Sequence, residues 1–596
     1  MQDGSSPDRK KYPNIRRLCR PALLCLLGIA VHSGSRGQTT PVTLMPQGAL
    51  VYLEAKDLRS LAEGWLNSPE KKIWVQSRNF QRFENSRIML KLMNRAEQFS
   101  RSAGFALTAN HLLPFAGKRS ALGLYNPSEQ EFLFITELPA AERQALQLFK
   151  LKAHFERREK NGGAYFQNDQ GGRVVCWAEI GPFLVVATHE ELMKSCLALA
   201  QKPPGGTSLD RTQEWQESAG TGDYADLLIF LKLNSLTRNT NFRREWLFDN
   251  LKELEEYNSS QIDIQFSAAG VKEKRLFIRQ SQQKLKPSPF PIDLLERYAP
   301  NGQSYLSGCS DPDYQDLALR IEAALWNPLP EKHRALSRPR TGHSRYSRLE
   351  EAYQRRRYEI HIDELEPALM AKSSDEPISG GNAGLVRLLV DSGTQSVLET
   401  ASAQYLEGSP FIHFQHAFIL NRPPSFTSIK EPLQAIIQNE FSQLYSISED
   451  RGTWERKVLA LIPYEVFRVK GNALSVSLAQ IGNALVLATS EEYLRRVILN
   501  YQANLPARFS QILKKPLTSF VLFDFKEAGN RFVSWQKALD YPQLRQEEEY
   551  ATPQFFSQDL AGLLESLVRL SGVSIQTQCE AQFLSEEIRY DVQPLP

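Results

Sequence analysis

The chain has 596 residues, room for two or more domains that each bury a core. Its 42% hydrophobic content and mean hydropathy of −0.39 are ordinary for a soluble globular protein. A formal charge of +3 over this length excludes a chain that binds nucleic acid by charge alone.

Lys10, Lys11, Arg16, Arg17 and Arg20 precede an apolar run at 22–31, and small residues follow through Gly37. That is the order of a secretory signal peptide, read here over residues 1–37 with cleavage leaving Gln38 as the mature end. The apolar run falls short of the roughly 20 residues that span a bilayer. An uncleaved N-terminal membrane anchor is the competing reading. The sequence predicts no later membrane span, so the expected location is periplasmic or extracellular. Cys176, Cys196, Cys309 and Cys579 remain after the signal and allow three disulfide pairings. Without a CxxC or a Cys/His cluster, neither a metal nor another cofactor is expected.

In chain order, a strand is predicted over 51–53 and a helix over 57–67. Residues 71–108 read as helical, 120–125 and 131–137 as strands, and 140–152 as a helix. A hairpin follows at 173–188, then a helix. A strand at 227–233, a helix at 245–257 and a closing strand pair at 262–266 and 275–279 complete the first half. Residues 286–291, Lys-Pro-Ser-Pro-Phe-Pro, form a stiff extended linker. The second half opens on a strand at 305–306 and a helix ending at Trp326. It closes on a strand at 520–525, a helix near 556–570, and strands at 573–577 and 587–592.

One stretch occurs twice. Residues 178–191 read AEIGPFLVVATHEE and residues 479–492 read AQIGNALVLATSEE, with nine of fourteen positions identical. We read this as an internal duplication. Gly181-Pro182 and Gly482-Asn483 fit two-residue type II′ turns, which need a positive φ at the first central residue. Thr188 with Glu191, and Thr489 with Glu492, have the spacing of a capping box. Both copies then present an amphipathic helix stripe: Leu192, Met193, Cys196 and Leu197, against Tyr493, Leu494, Val497 and Ile498.

The expected fold is therefore α+β, as two tandem pseudo-repeats at 38–285 and 292–596, each a mainly antiparallel sheet packed with helices. Matching residues stand 261 apart at Trp65 and Trp326 but 301 apart at Gly181 and Gly482. The second repeat thus carries an insertion, placed at about 329–382. It is basic, and Arg355, Arg356 and Arg357 are its candidate anion-binding residues.

Other candidates are weaker. His189-Glu190-Glu191-Leu192-Met193 lacks the second histidine of a zinc helix. His413 and His416, three apart in a strand, should point to opposite faces. Asp311, Asp313 and Asp316 fit a capped helix start better than a calcium loop. Gly117-Lys118-Arg119-Ser120 lacks the first glycine of a P-loop.

The Pro-x-Gly opening, the Trp-x-Asn-Ser-Pro at 65–69, the Gly-Lys-Arg-Ser strand start and Phe-Leu-Val-Val-Ala-Thr together resemble a family of exported bacterial proteins. That family is recorded only as a domain of unknown function. The resemblance implies bacterial export and supplies no functional residues. The expected role is a non-enzymatic binding or scaffolding module with a protein, glycan or lipid-surface partner in the envelope, and no nucleic acid. The alternative is a hydrolase with its site in the cleft between the repeats.

Overall fold

The structure is a computed structural model. It describes residues 40–593 apart from 128, 161–162, 170–172, 202–206, 219–224, 240–253, 282–287, 327–380, 406–411, 437–451, 469–474, 526–569 and parts of 77–86 and 504–515. The expected signal peptide lies outside the described residues, as do 329–380 of the basic insertion, 245–253 of the helix expected at 245–257 and 556–569 of the helix expected at 556–570. The chain divides into two compact units, Met1–Lys286 with Gln536–Pro596, and Pro287–Trp535. Among the described residues no helix is long and apolar enough to cross a membrane.

In the first unit the strands are β1 (Val51–Ala55), β2 (Ser120–Asn126), β3 (Glu131–Glu137), β4 (Glu156–Lys160), β5 (Gly163–Asn168), β6 (Val175–Ile180), β7 (Phe183–Ala187), β8 (Leu227–Leu231), β9 (Tyr257–Ser267) and β10 (Gly270–Arg279). All pair antiparallel, in the order β4-β5-β6-β7-β3-β2-β1-β8-β9-β10. The helices used below are α1 (Leu58–Asn67), α2 (Arg87–Ala103) and α3 (Glu190–Ala200).

Alternation along the strands gives this sheet two apolar faces. Leu133, Ile135, Cys176, Val185 and Ala187 pack with Met193, Cys196 and Leu197 of α3. Val175, Trp177, Leu184 and Val186 point the other way, toward Phe115, Leu146, Leu148 and Phe155.

The second unit contains β11 (Tyr305–Ser310), β12 (Ser396–Tyr405), β13 (Ile412–Asn421), β14 (Thr453–Leu459), β15 (Ile462–Arg468), β16 (Ser475–Ile481), β17 (Ala484–Ala488) and β18 (Ser519–Asp524). Their antiparallel order is β14-β15-β16-β17-β13-β12-β11-β18. Helices α4 (Ile292–Tyr298), α5 (Tyr314–Trp326), α6 (Gly381–Ser392) and α7 (Glu491–Ala503) cover it. α4 and α7 share a core with Ala417, Ile419 and Val486. α5 and α6 share another with Val397, Phe418 and Leu487 on the opposite face.

The chain's last strands, β19 (Leu570–Cys579) and β20 (Phe583–Val592), do not complete this second sheet as the division at 292–596 expected. β20 pairs along β10 of the first unit, from Gly270↔Asp591 to Ile278↔Phe583. Close strand approach fixes one residue here. Gly270 has φ +147°, and a Cβ on it would stand 1.9 Å from the Tyr590 carbonyl oxygen.

Both duplicated turns have the expected backbone, with φ +58° at Gly181 and +56° at Gly482. The capping boxes are not formed. The helix begins one residue later, with His189 and Ser490 at the cap positions, and the Ser490 hydroxyl accepts the Tyr493 amide at 3.1 Å. The threonine hydroxyls serve the sheet instead. Thr188 Oγ1 accepts the Phe132 amide and Thr489 Oγ1 accepts the His416 amide, each at 2.9 Å. An amide at the end of a ladder needs a partner, and the threonine provides it.

Other departures are local. The helix expected at 140–152 breaks into Ala140–Ala145 and Gln147–Lys150, because Leu146 is extended and buries its side chain. Tyr257 begins β9 rather than ending a helix. β4 and β14 carry too much charge to read as strands, as suits edge positions that must not recruit another sheet.

The turn joining β14 to β15 is strained: Ala460 and Leu461 have φ of +48° and +65°, and Leu461 is 94% exposed. Side chains there cost about 1–2 kcal/mol per residue. Replacing the pair with Asn-Gly (Ala460→Asn with Leu461→Gly) should stabilise the β14–β15 hairpin by about 1–2 kcal/mol. Slower amide hydrogen exchange in β14 and β15 is the expected readout; faster exchange would contradict it.

Candidate functional site

The first unit leaves one sheet face incompletely covered. Leu122, Phe134 and Val186 stand in one cross-strand row on β2, β3 and β7. Above them α2 presents Leu92, Arg95, Ala96 and Phe99, spaced i, i+3, i+4 and i+7 and hence on one helix face. Between helix and sheet lies a cavity of about 400 Å³, within the range of small-molecule sites. Leu58, Ala62 and Leu66 of α1, with Phe105, Leu112, Leu113 and Leu148, complete its apolar wall. Phe99, Phe105, Phe132 and Phe134 are only half-buried, as side chains facing a void must be.

Polar groups enter the lining in one place. Arg95, Arg173 and Gln130 gather beside the turn between β2 and β3. Arg173 Nη2 donates to the carbonyls of Glu129, at 2.8 Å, and Gln130. Its Nε is buried and has no partner among the described residues. Burial, and then the neighbouring Arg95, pull the Arg173 guanidinium below its usual range, while Glu129 and Glu131 work against that shift. Arg95 Nη2 donates to Glu129 Oε2 at 2.8 Å at the surface. Gln130 holds φ +52°, left-handed for a residue with a side chain, and its carbonyl also accepts from Thr188 Oγ1 at 3.3 Å. The opposite end starts where the Leu58 amide donates to the Lys118 carbonyl.

The second sheet has different chemistry in the same row. Phe418 pairs with Glu399 on one side and Leu487 on the other. Glu399 is 5% exposed; its carboxylate accepts from Arg320 Nη1 at 2.8 Å and stands 3.2 Å from His416 Nδ1. Phe418 and Leu487 are fully buried beneath Leu317, Ile321, Leu385 and Leu389.

The candidate residues singled out from the sequence that are described disperse, and none of these lines the cavity. Arg355, Arg356 and Arg357 lie outside the described residues. His189 sits at the start of α3 without a side-chain cap bond, and Met193 is buried. Asp313 Oδ1 accepts the Gln315 amide at 2.8 Å, so that cluster opens α5. Gly117 lets the chain pass against Glu137, whose carbonyl a Cβ would meet at 2.1 Å. Cys176 and Cys196 are buried free thiols, and burial pushes both up to about 12. Cys309 and Cys579 are free as well. Among the described residues no three His, Cys, Asp or Glu side chains converge as a metal would require.

The capping-box spacing also points to the wrong member of each Glu-Glu pair. Glu190 accepts from Tyr165 Oη at 2.6 Å and Arg158 Nη1 at 3.0 Å. Glu491 accepts from Tyr464 Oη and Lys457 Nζ, both at 2.9 Å, and from Arg468. The Tyr165 hydrogen bond holds the Glu190 carboxyl below its usual value. Burial raises Glu491, but Lys457 and Tyr464 outweigh it and the net direction is down. Each glutamate ties its edge hairpin to the following helix.

No family model matches the sequence, and no curated protein is similar to it. Among solved structures, crystal form III of TP0453 is similar over 42% of this chain and 84% of its own, at 10% identity and a TM-score of 0.23. Crystal form I of TP0453 covers 44% and 85%, at 12% identity and a TM-score of 0.22. Likeness at these scores carries no weight for fold or function.

Because the space under α2 is unfilled, the two sheet faces should respond differently to added volume. Ala96→Leu should change stability by less than about 1 kcal/mol, whereas Ala187→Leu, on the filled face, should lose about 1–3 kcal/mol. Urea unfolding of the full chain measures both; equal losses would contradict the void.

Proposed function

We propose that the chain is an exported envelope protein made of two copies of one α+β module, without a catalytic role, and that the first copy binds an apolar ligand. Duplication is supported by the shared strand order and by equivalent registers, Leu133↔Ala187 on β3 and β7 against Ala417↔Ala488 on β13 and β17. The paired threonines, turn glycines and tyrosine–glutamate contacts recur at matching places. The basic segment 329–382, with Arg355, Arg356 and Arg357, would add a salt-dependent contact to an anionic envelope surface.

The observation that carries the binding role is the apolar hollow of about 400 Å³ between α2 and the sheet. Where the first copy places Leu122 and Phe132, the corresponding register positions of the second hold Glu399 and His416. The shared scaffold thus supports an open apolar face in one copy and a closed, ion-paired face in the other. A ligand that brings apolar surface out of water gains about 25 cal/mol per Å² before the losses of association.

Titration of the full chain with Nile red should reveal one saturable site that Ala96→Phe abolishes. Absence of a saturable site, or binding untouched by that substitution, would overturn the binding role. Export has its own test: protein recovered from the envelope fraction should begin at Gln38, and an intact Met1 chain in the cytosol would overturn it.

A further inference from the structure

Resting on the binding role just proposed, we infer that the cavity takes a single-chain anionic amphiphile, its acyl tail against the sheet and its carboxylate between Arg95 and Arg173. Of the polar side chains in the lining, two are guanidiniums and one is an amide; none is acidic. All three stand at one end, and the remaining wall is apolar. The cavity is therefore amphipathic in the same sense as a fatty acid.

Details at the polar end favour an anion. Two guanidiniums, Arg95 and Arg173, line this end together, and no carboxylate lines it with them. Arg95 stands close enough to disfavour the charge on Arg173, and a carboxylate between them would relieve that repulsion. Glu129 and Glu131 supply negative charge nearby but do not line the cavity. Glu129 is 58% exposed, and such a surface ion pair is weak enough for Arg95 to exchange it for a ligand carboxylate. Arg173 is anchored by main-chain carbonyls and would act as the fixed half of the clamp.

Calorimetric titration of the full chain with palmitate, and with hexadecanol as the uncharged match, tests this inference. Palmitate should bind at least roughly tenfold more tightly, the factor carried by one charge-assisted hydrogen bond. Arg95→Gln should reduce that preference, and Arg95→Gln with Arg173→Gln should remove it while hexadecanol affinity stays the same. Arg173→Lys keeps the charge and should retain part of the preference, guarding against a double variant that fails to fold. Equal binding of palmitate and hexadecanol by the unaltered chain would overturn the anion clamp and leave the apolar site standing. Binding of neither would overturn both. A stronger response to hexadecyl phosphate than to palmitate would replace the carboxylate with a phosphate head and overturn the fatty-acid assignment.

Discussion

A β-sheet that is apolar on both faces must be covered on both, and the rest of this structure follows from how each unit meets that demand. In the second unit α5 and α6 bring Leu317, Ile321, Leu385 and Leu389 down onto Phe418 and Leu487. In the first, α1 and α2 roof the same kind of row without filling it, and Phe134 stays half-buried. The opposite face is closed in both units by the helix after the duplicated hairpin, α3 or α7. A closed face supplies the stability that an open face can do without.

The two rows also differ in what a substitution would mean. Glu399 is buried and paired with the part-exposed Arg320, so removing Arg320 would leave a buried carboxylate without its cation. Leu122 and Phe132 border empty volume, and changes there alter capacity before they alter folding. The first unit thus has an apolar hollow, and the second a buried carboxylate paired with an arginine.

Much of the fold could be read from local pattern. A positive φ at Gly181 and Gly482 follows from glycine between two strand-like runs, and the buried stripes of α3 and α7 follow from their spacing. Long-range choices could not be read this way. Nothing near residues 583–592 states that β20 will pair with β10, since strand partners are set by whole edges meeting. Thr188 and Glu191 had the spacing of a cap, but a strand amide competed successfully for the hydroxyl. The hollow was hidden for a related reason: periodicity tells which side chains share a face, not how far that face stands from its neighbour. One signal was available. Arg95 interrupts the stripe of Leu92, Ala96 and Phe99, and a charge on an apolar helix face points to a polar feature beneath it.

The most direct measurement is a crystal structure of the full chain grown with an ω-brominated fatty acid. The bromine's anomalous peak should fall among Leu58, Ala62 and Leu148, with the carboxylate density at Arg173. A peak at the arginine end, or a first unit whose α2 has settled onto Phe134 with no ligand beneath it, would contradict an amphiphile held tail-first under α2.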